Sequence, residues 1–167
     1  MRRLRRPQSL AALASYGREP ALPTQVRILG LDPGSQCTGY AVVQVDGARI
    51  AYLVSGAIKA KGESLTERLR EIFAGVDQLT HEFRPDEVAI ERVFMHRNAD
   101  SALKLGQARG AALSATFTVQ PRVFEYAARE VKLAVVGTGA AQKDQVQLMV
   151  RRLMNISGPL AEDAADA

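Results

Sequence analysis

The chain has 167 residues, of which 47% are hydrophobic, and this size favours one domain with a sizeable core. No apolar run approaches the ~20 residues that a transmembrane helix needs. The single cysteine, Cys37, excludes an internal disulfide and a cysteine-rich zinc site, and the two histidines, His81 and His96, lie too far apart in sequence to suggest a histidine metal cage.

The formal net charge of +4 is distributed unevenly along the sequence. Residues 1–26 carry a net charge of +4 and residues 27–91 carry −3, whereas residues 92–152 carry +6 and residues 162–167 carry −3. A basic block between acidic stretches is typical of a phosphate-binding surface around an acidic metal site. Basic residues on ordinary solvated helix faces give a similar distribution, so charge alone does not separate these interpretations.

Residues 1–25 have four arginines among the first six residues, followed by small residues and prolines. They show no strand pattern and only a short, weak helical one. We predict a basic, disordered extension outside the folded core. A basic arm, an organelle transit peptide and an artefact of an upstream start codon are all compatible with this composition.

The segment 28–43 organises the first half of the chain. An apolar run stops at Asp32, the dipeptide Pro33-Gly34 favours a tight turn, and a second apolar run follows. This pattern predicts a strand, an acidic residue at its end, a glycine-rich turn and another strand. A carboxylate fixed at a strand end suits a hard cation such as Mg²⁺. An aspartate that only caps the turn would give the same pattern.

The remaining patterns predict an α/β domain over residues 26–167. Strands are predicted at residues 26–31, 40–45, 49–57, 87–91 and 122–124, and helices at residues 65–83, 99–117, 125–135 and 141–154. The Asp46-Gly47 turn makes the first three strands an antiparallel meander. A helical crossover that begins with a capping box at Ser64 makes the fourth strand parallel to the first. The 99–117 helix is rich in small residues, which permit close packing against the sheet or a partner subunit.

Four acidic residues are candidate metal ligands. Glu91 follows a buried strand as Asp32 does, and Asp163 and Asp166 are spaced so that one face of a helix carries both. With no competing histidine or cysteine, four carboxylates suit two Mg²⁺ or Mn²⁺ ions ~3.5–4 Å apart. Such ions activate water and stabilise the leaving 3′ oxygen of a phosphodiester. The last pair also has an ordinary interpretation, because acidic residues in the first turn of a helix interact favourably with its dipole.

Several segments, in order, resemble those of RuvC, the Holliday-junction resolvase family. They are Ile28-Leu-Gly-Leu-Asp-Pro-Gly-Ser35 with Thr38-Gly-Tyr40, Ala89-Ile-Glu-Arg-Val-Phe94, Asn98-Ala-Asp-Ser-Ala-Leu-Lys-Leu-Gly-Gln-Ala-Arg-Gly110, Val123-Phe-Glu-Tyr-Ala-Ala-Arg129 and Asp163-Ala-Ala-Asp166. The resemblance extends over about residues 26–167, and the long block that ends at Gly110 is highly specific.

This resemblance implies a ribonuclease H-like fold and a homodimer that resolves four-way (Holliday) DNA junctions by symmetric paired nicks, in DNA recombination and repair. It also implies two Mg²⁺ ions per active site, with Mn²⁺ able to substitute, cooperation with the RuvA–RuvB branch-migration complex, and a location in the bacterial cytoplasm. By motif match, the catalytic and metal-binding acids are Asp32, Glu91, Asp163 and Asp166, and the DNA-binding residues are Phe94, Lys132 and Lys143.

Two departures and two alternatives accompany the resemblance. The first 25 residues lie outside the family pattern, and the family continues its last helix beyond the position of Asp166, so we expect a truncated C-terminal helix whose effect on activity is open. One alternative is a junction-binding relative with impaired catalysis. The other is an ATPase of the actin-like and sugar-kinase fold, whose first phosphate loop resembles the 32–39 turn. The ATPase needs a second glycine-rich phosphate loop, which we do not find in the sequence.

Overall fold

The computed structural model describes residues 25–92 and 98–156, which form one five-stranded sheet and its flanking helices. The strands are β1 (Gln25–Asp32), β2 (Cys37–Asp46), β3 (Arg49–Lys59), β4 (Glu87–Glu91) and β5 (Arg122–Tyr126). The helices are α1 (Leu65–Phe83), α2 (Ala99–Thr116), α3 (Ala128–Val136) and α4 (Lys143–Leu153), and a 3₁₀ turn (Phe117–Val119) follows α2. None of these helices is long and apolar enough to cross a membrane.

The strand order in the sheet is β3-β2-β1-β4-β5. β2 is antiparallel to both β1 and β3, whereas β4 is parallel to β1 and β5 is parallel to β4. This arrangement confirms the predicted mixed sheet, with an antiparallel meander followed by a parallel crossover through α1. The hairpin between β2 and β3 turns at Gly47, whose φ of 58° lies in the left-handed region that glycine adopts readily.

The bounds of α1 are set by the capping residues on either side of it. The Glu67 amide donates to the Ser64 hydroxyl at 3.2 Å, and the Ser64 amide donates to the Glu67 carboxylate at 2.9 Å, so the predicted capping box is present. Hydrogen bonding to the Glu67 carboxylate, first from the Ser64 backbone amide and second from the Ser64 side chain, lowers the pKa of Glu67 below its ordinary value. The helix ends where Arg84 adopts a left-handed conformation directly before Pro85, which disfavours helical backbone at the preceding residue.

The core lies between one face of the sheet and the helices α1 and α2. Its members are Leu29, Leu31, Val42, Val88 and Ile90 from the strands, Ile72 and Val76 from α1, and Ala108, Ala112 and Ala115 from α2. The three alanines recur at helical spacing, so α2 presents a smooth face that packs closely against α1. Part of the predicted small-residue face of α2 is therefore used inside the domain.

The helices α3 and α4 lie on the side of the opposite face of the sheet. Between them lies an apolar cleft of about 440 Å³, which we call the inner cleft. Its lining includes Ile28 and Val43 from the sheet, Val131 from α3 and Val146 from α4. Strand alternation explains this division, because Ile28 and Val43 point away from the core while their neighbours Leu29 and Val42 point into it.

The predicted boundary between the last strand and the helix after it is wrong. The sequence pattern predicts a helix over residues 125–135, yet Glu125 and Tyr126 belong to β5 and α3 begins only at Ala128. Glu125 pairs with Ile90 and Tyr126 pairs with Glu91 in the parallel register, and the Arg92 amide donates to the Tyr126 carbonyl at 2.8 Å. Pairing with β4 therefore overrides the local helical preference of this segment.

Candidate active site

Asp32 and Glu91 end neighbouring parallel strands at the same edge of the sheet. Leu31 of β1 pairs with Ile90 of β4, and each acid is the next residue of its strand. Since side chains alternate along a strand, both acids point to the face of the sheet on which α3 and α4 lie. Both residues are half-buried. The sequence prediction of two strand-end carboxylates on adjacent strands thus corresponds to the observed geometry.

The turn after Asp32 is fixed by short-range contacts. The buried Thr38 hydroxyl donates to the Gly34 carbonyl at 3.2 Å and lies 3.4 Å from the Gly34 amide, which donates to it. Arg68 of α1 donates from Nε to the Ser35 carbonyl at 3.1 Å. Only glycine fits at position 34, because an added Cβ would overlap the carbonyl oxygen of Cys37. These contacts hold the backbone that follows Asp32 in one conformation.

The end of β4 is held by Arg109 of α2. Its Nε donates to the Glu91 carbonyl oxygen at 3.1 Å, and its Nη2 lies 3.0 Å from the carboxylate of Glu125 on β5. Arg92 adds a second connection to β5, since its Nη2 donates to the Glu125 carbonyl at 3.2 Å. Both arginines therefore fix the backbone around Glu91. Within residues 25–92 and 98–156, no hydrogen bond or ion pair engages the Glu91 carboxylate itself.

The two acids open into a second cleft, of about 770 Å³, which we call the strand-end cleft. It is lined by Asp32, Pro33, Glu91, Arg92, Leu105, Leu133 and residues 127–130. Neither histidine nor cysteine is among the described residues that line it, so the groups of this lining that suit a hard divalent cation are its carboxylates. Among the described residues no three acidic, histidine or cysteine side chains converge, so the described part of the chain supplies two of the four predicted ligands.

The profile of a protein family, crossover junction endodeoxyribonuclease RuvC, matches residues 28–167. The chain belongs to the RuvC family. It is 55% identical over 140 residues to the crossover junction endodeoxyribonuclease RuvC of Photorhabdus laumondii subsp. laumondii, which covers 84% of this chain and 81% of that protein. The corresponding protein of Cronobacter sakazakii is 56% identical over the same lengths.

Solved structures agree with this membership. Thermus thermophilus RuvC in complex with a Holliday junction substrate superposes with a TM-score of 0.78 at 36% identity, over 85% of this chain and 88% of that one. The yeast mitochondrial Holliday junction resolvase Ydc2, at 12% identity, a TM-score of 0.60 and coverage of 88% and 77%, shares the fold. These findings confirm the ribonuclease H-like fold, and membership of a nuclease family decides against the actin-like ATPase alternative.

The other RuvC-type residues predicted from the sequence divide into two groups. Lys132 of α3 and Lys143, the first residue of α4, line the inner cleft together with Glu91. Glu91 also lines the strand-end cleft, so it borders both the cleft that holds the lysines and the cleft that holds Asp32. The remaining three predicted residues, Phe94, Asp163 and Asp166, lie outside the described residues.

Two supporting residues of this RuvC-family site were not singled out from the sequence. Arg68 and Arg109 both donate to backbone carbonyls beside a candidate catalytic acid, although they lie far from those acids in sequence. Arg109 lies within the 98–110 block that resembles the family, and this resemblance was the signal in the sequence that could have indicated its role. Arg68 lies on the amphipathic helix α1, where an arginine gives no sign that it contacts a loop.

Proposed function

We propose that this RuvC-family chain is a structure-specific endonuclease that nicks the strands of a four-way DNA junction by phosphodiester hydrolysis. The observation that carries the proposal is the pair Asp32 and Glu91, side by side at the ends of β1 and β4, in a cleft whose described lining contains neither histidine nor cysteine. Its family consists of crossover junction endodeoxyribonucleases, and a Thermus thermophilus member has been solved with a Holliday junction.

We further propose that Asp163 and Asp166 complete the ligand set of Asp32 and Glu91, and that the four acids hold two Mg²⁺ ions. When bound, such ions supply an activated water and stabilise the leaving 3′ oxygen. The course of the chain supports this set, because Glu91 and Ile156 both line the inner cleft, and the sequence continues from Ile156 to both aspartates. The ordered turn at Gly34 and the contact from Arg109 serve to hold the first two acids in place.

DNA binding is assigned to Lys132 and Lys143, with Phe94 meeting bases near the centre of the junction. The two lysines line the same cleft as Glu91, which supports a role close to the cleaved phosphate. Lysine acts on phosphate as a point charge, so these contacts contribute affinity and not sequence preference.

Two nicks placed symmetrically require two active sites, and we propose that the chain works as a homodimer. The outer face of α2 supports this, because Leu103 is 63% exposed and an added Cβ at Gly106 or Gly110 would meet no atom within 4 Å. A partner helix could therefore approach closely. Cooperation with the RuvA–RuvB complex in the bacterial cytoplasm is proposed from the family resemblance.

The test is cleavage of a mobile four-way junction with added Mg²⁺, with ATP hydrolysis followed in the same sample. The parent chain should nick the junction in symmetric pairs and release no phosphate from ATP. Asp32→Asn and Glu91→Gln should abolish nicking yet bind the junction as the parent does, because metal binding needs the charge while junction binding depends on the basic residues and shape. Asp46→Asn, at the opposite end of the sheet beside Gln25, is the matched control. If Asp32→Asn nicks the junction at the parent rate, this active site is excluded. If the parent binds the junction without nicking it, the chain is instead a junction-binding relative with impaired catalysis.

A further inference from the structure

Arg129 is a basic residue in the strand-end cleft to which the site described so far gives no role. It is the second residue of α3 and lines this cleft together with Asp32 and Glu91. Its side chain lies over Gly139 in the turn between α3 and α4, since a Cβ added at Gly139 would come within 2.6 Å of Arg129 Cγ and 3.0 Å of its Nε. The aliphatic part of the Arg129 side chain therefore packs against the turn between α3 and α4.

The three arginines around Glu91 differ in what they contact. Arg92 and Arg109 both bind groups of the protein, namely the carbonyls of Glu125 and Glu91 and the Glu125 carboxylate. By contrast, within the described part of the chain no hydrogen bond or ion pair engages the Arg129 guanidinium. Arg129 is thus exposed toward the cleft and available to an external anion.

Helix stability does not explain an arginine at this position. The first turn of a helix carries a partial positive charge, so a cation there is unfavourable, whereas an anion is favourable. In α3 the acidic residue of the first turn, Glu130, accepts from the Ala127 amide at 2.7 Å and does not pair with Arg129. The charge of Arg129 is unfavourable at this helix end and no contact among the described residues compensates for it, which indicates a role in function.

We propose that Arg129 binds a phosphate of the DNA backbone in the strand-end cleft and so positions the strand beside Asp32 and Glu91. The planar guanidinium can donate two parallel hydrogen bonds to one phosphate, which fixes its orientation as well as its position. The α3 N-terminus beside it favours the same negative charge. The inference rests on the proposed junction-cleaving function, because it assigns Arg129 a contact within that active site.

The experiment measures binding to a series of four-way junctions, each with one neutral methylphosphonate in place of a phosphate near the crossover. For the parent chain, replacing the phosphate that Arg129 contacts should weaken binding about tenfold. In Arg129→Ala the same replacement should weaken binding no further, while a methylphosphonate at any other position should weaken binding as much as it does in the parent. Arg129→Lys should retain part of the effect. Arg70→Ala, which removes a positive charge on α1 at the other face of the sheet, should leave the whole pattern unchanged.

A second variant changes the position of Arg129 and not its charge. In Gly139→Ala the new methyl displaces the Arg129 stem, so the sensitivity to the same phosphate should fall although the net charge is unaltered. Thermal unfolding separates this role from a structural one. Arg129→Ala should unfold at the same temperature as the parent or slightly higher, because it removes an unfavourable charge from the helix end, whereas a structural arginine would lower the unfolding temperature when removed.

The outcomes separate this inference from the proposed function. If the parent fails to nick the junction, yet Arg129→Ala erases the effect of one methylphosphonate, the endonuclease proposal is wrong and the phosphate contact stands. If the parent nicks the junction and every methylphosphonate keeps its effect in Arg129→Ala, the phosphate contact is wrong and the endonuclease stands. A parent that is insensitive to all the replacements also overturns the contact.

Discussion

Replacing Gly34 by alanine tests whether the turn after Asp32 holds the active site in place. The added Cβ would overlap the carbonyl oxygen of Cys37, which belongs to the backbone and cannot rotate away as a flexible side chain can. To restore an ordinary van der Waals separation, the turn must open by about 1 Å. This movement pulls Gly34 from the Thr38 hydroxyl, which both donates to and accepts from its backbone.

The size of the effect follows from these two consequences. Overpacking at a site that cannot relax costs about 1–3 kcal/mol of the free energy of unfolding. A misplacement of about 1 Å next to a reacting group can reduce the rate of a chemical step about 100-fold. We therefore expect Gly34→Ala to unfold at lower urea concentration and to nick a bound junction about 100 times more slowly, while its junction affinity stays close to that of the parent.

The measurements are urea unfolding and single-turnover cleavage at saturating enzyme. Gly75→Ala is the matched control, because its added methyl meets the Ile58 side chain between α1 and β3, away from the strand-end cleft. Whatever this control does to stability, its folded fraction should nick at the parent rate. If Gly34→Ala also nicks at the parent rate, the turn is not what positions Asp32.

Two further predictions concern DNA binding and acid stability. Lys132→Ala and Lys143→Ala should each weaken junction binding for all sequences and reduce the slope of log affinity against log salt by about one; an unchanged slope would place that lysine away from DNA. Because the folded pKa of Glu67 lies below its ordinary value of 4.5, its stabilising effect is present above that value and is lost as the pH falls through the folded pKa. The unfolding free energies of parent and Glu67→Gln should therefore converge with falling pH, and a constant difference across the acid range would contradict this.

The sequence predicted the parts of the site that depend on local pattern. An apolar run followed by an acid and a Pro-Gly turn placed Asp32 at a strand end, and the α1 crossover made the strand of Glu91 parallel to it. Two parallel strands that end in acids bring those acids to one edge, so their proximity followed from topology without any contact being known. The family resemblance then supplied the roles of the lysines, which local pattern did not indicate.

Long-range contacts account for what the sequence did not predict. Glu125 and Tyr126 are strand residues because β4 lies beside them, and nothing in the residues 125–135 encodes that neighbour. The contact from Arg109 to Glu91 spans 18 positions, and the contact from Arg68 to Ser35 spans 33. Both arginines bind backbone carbonyls. Because every residue has a carbonyl, the types of the side chains do not indicate these contacts in the sequence.

The choice of a backbone partner for Arg109 has a consequence for the chemistry. An arginine paired with the Glu91 carboxylate would fix the residue equally well, but it would compete with a divalent cation for the same carboxylate oxygens. Arg109 instead donates to the Glu91 carbonyl and approaches the carboxylate of Glu125. The strand end is thereby held in position, and among the described residues no cation pairs with the Glu91 carboxylate, which leaves it for the proposed metal ion. Arg129 shows the complementary arrangement, because among the described residues no hydrogen bond or ion pair engages its guanidinium. One cleft is therefore lined both by carboxylates for the proposed metal ions and by an arginine for the proposed phosphate contact.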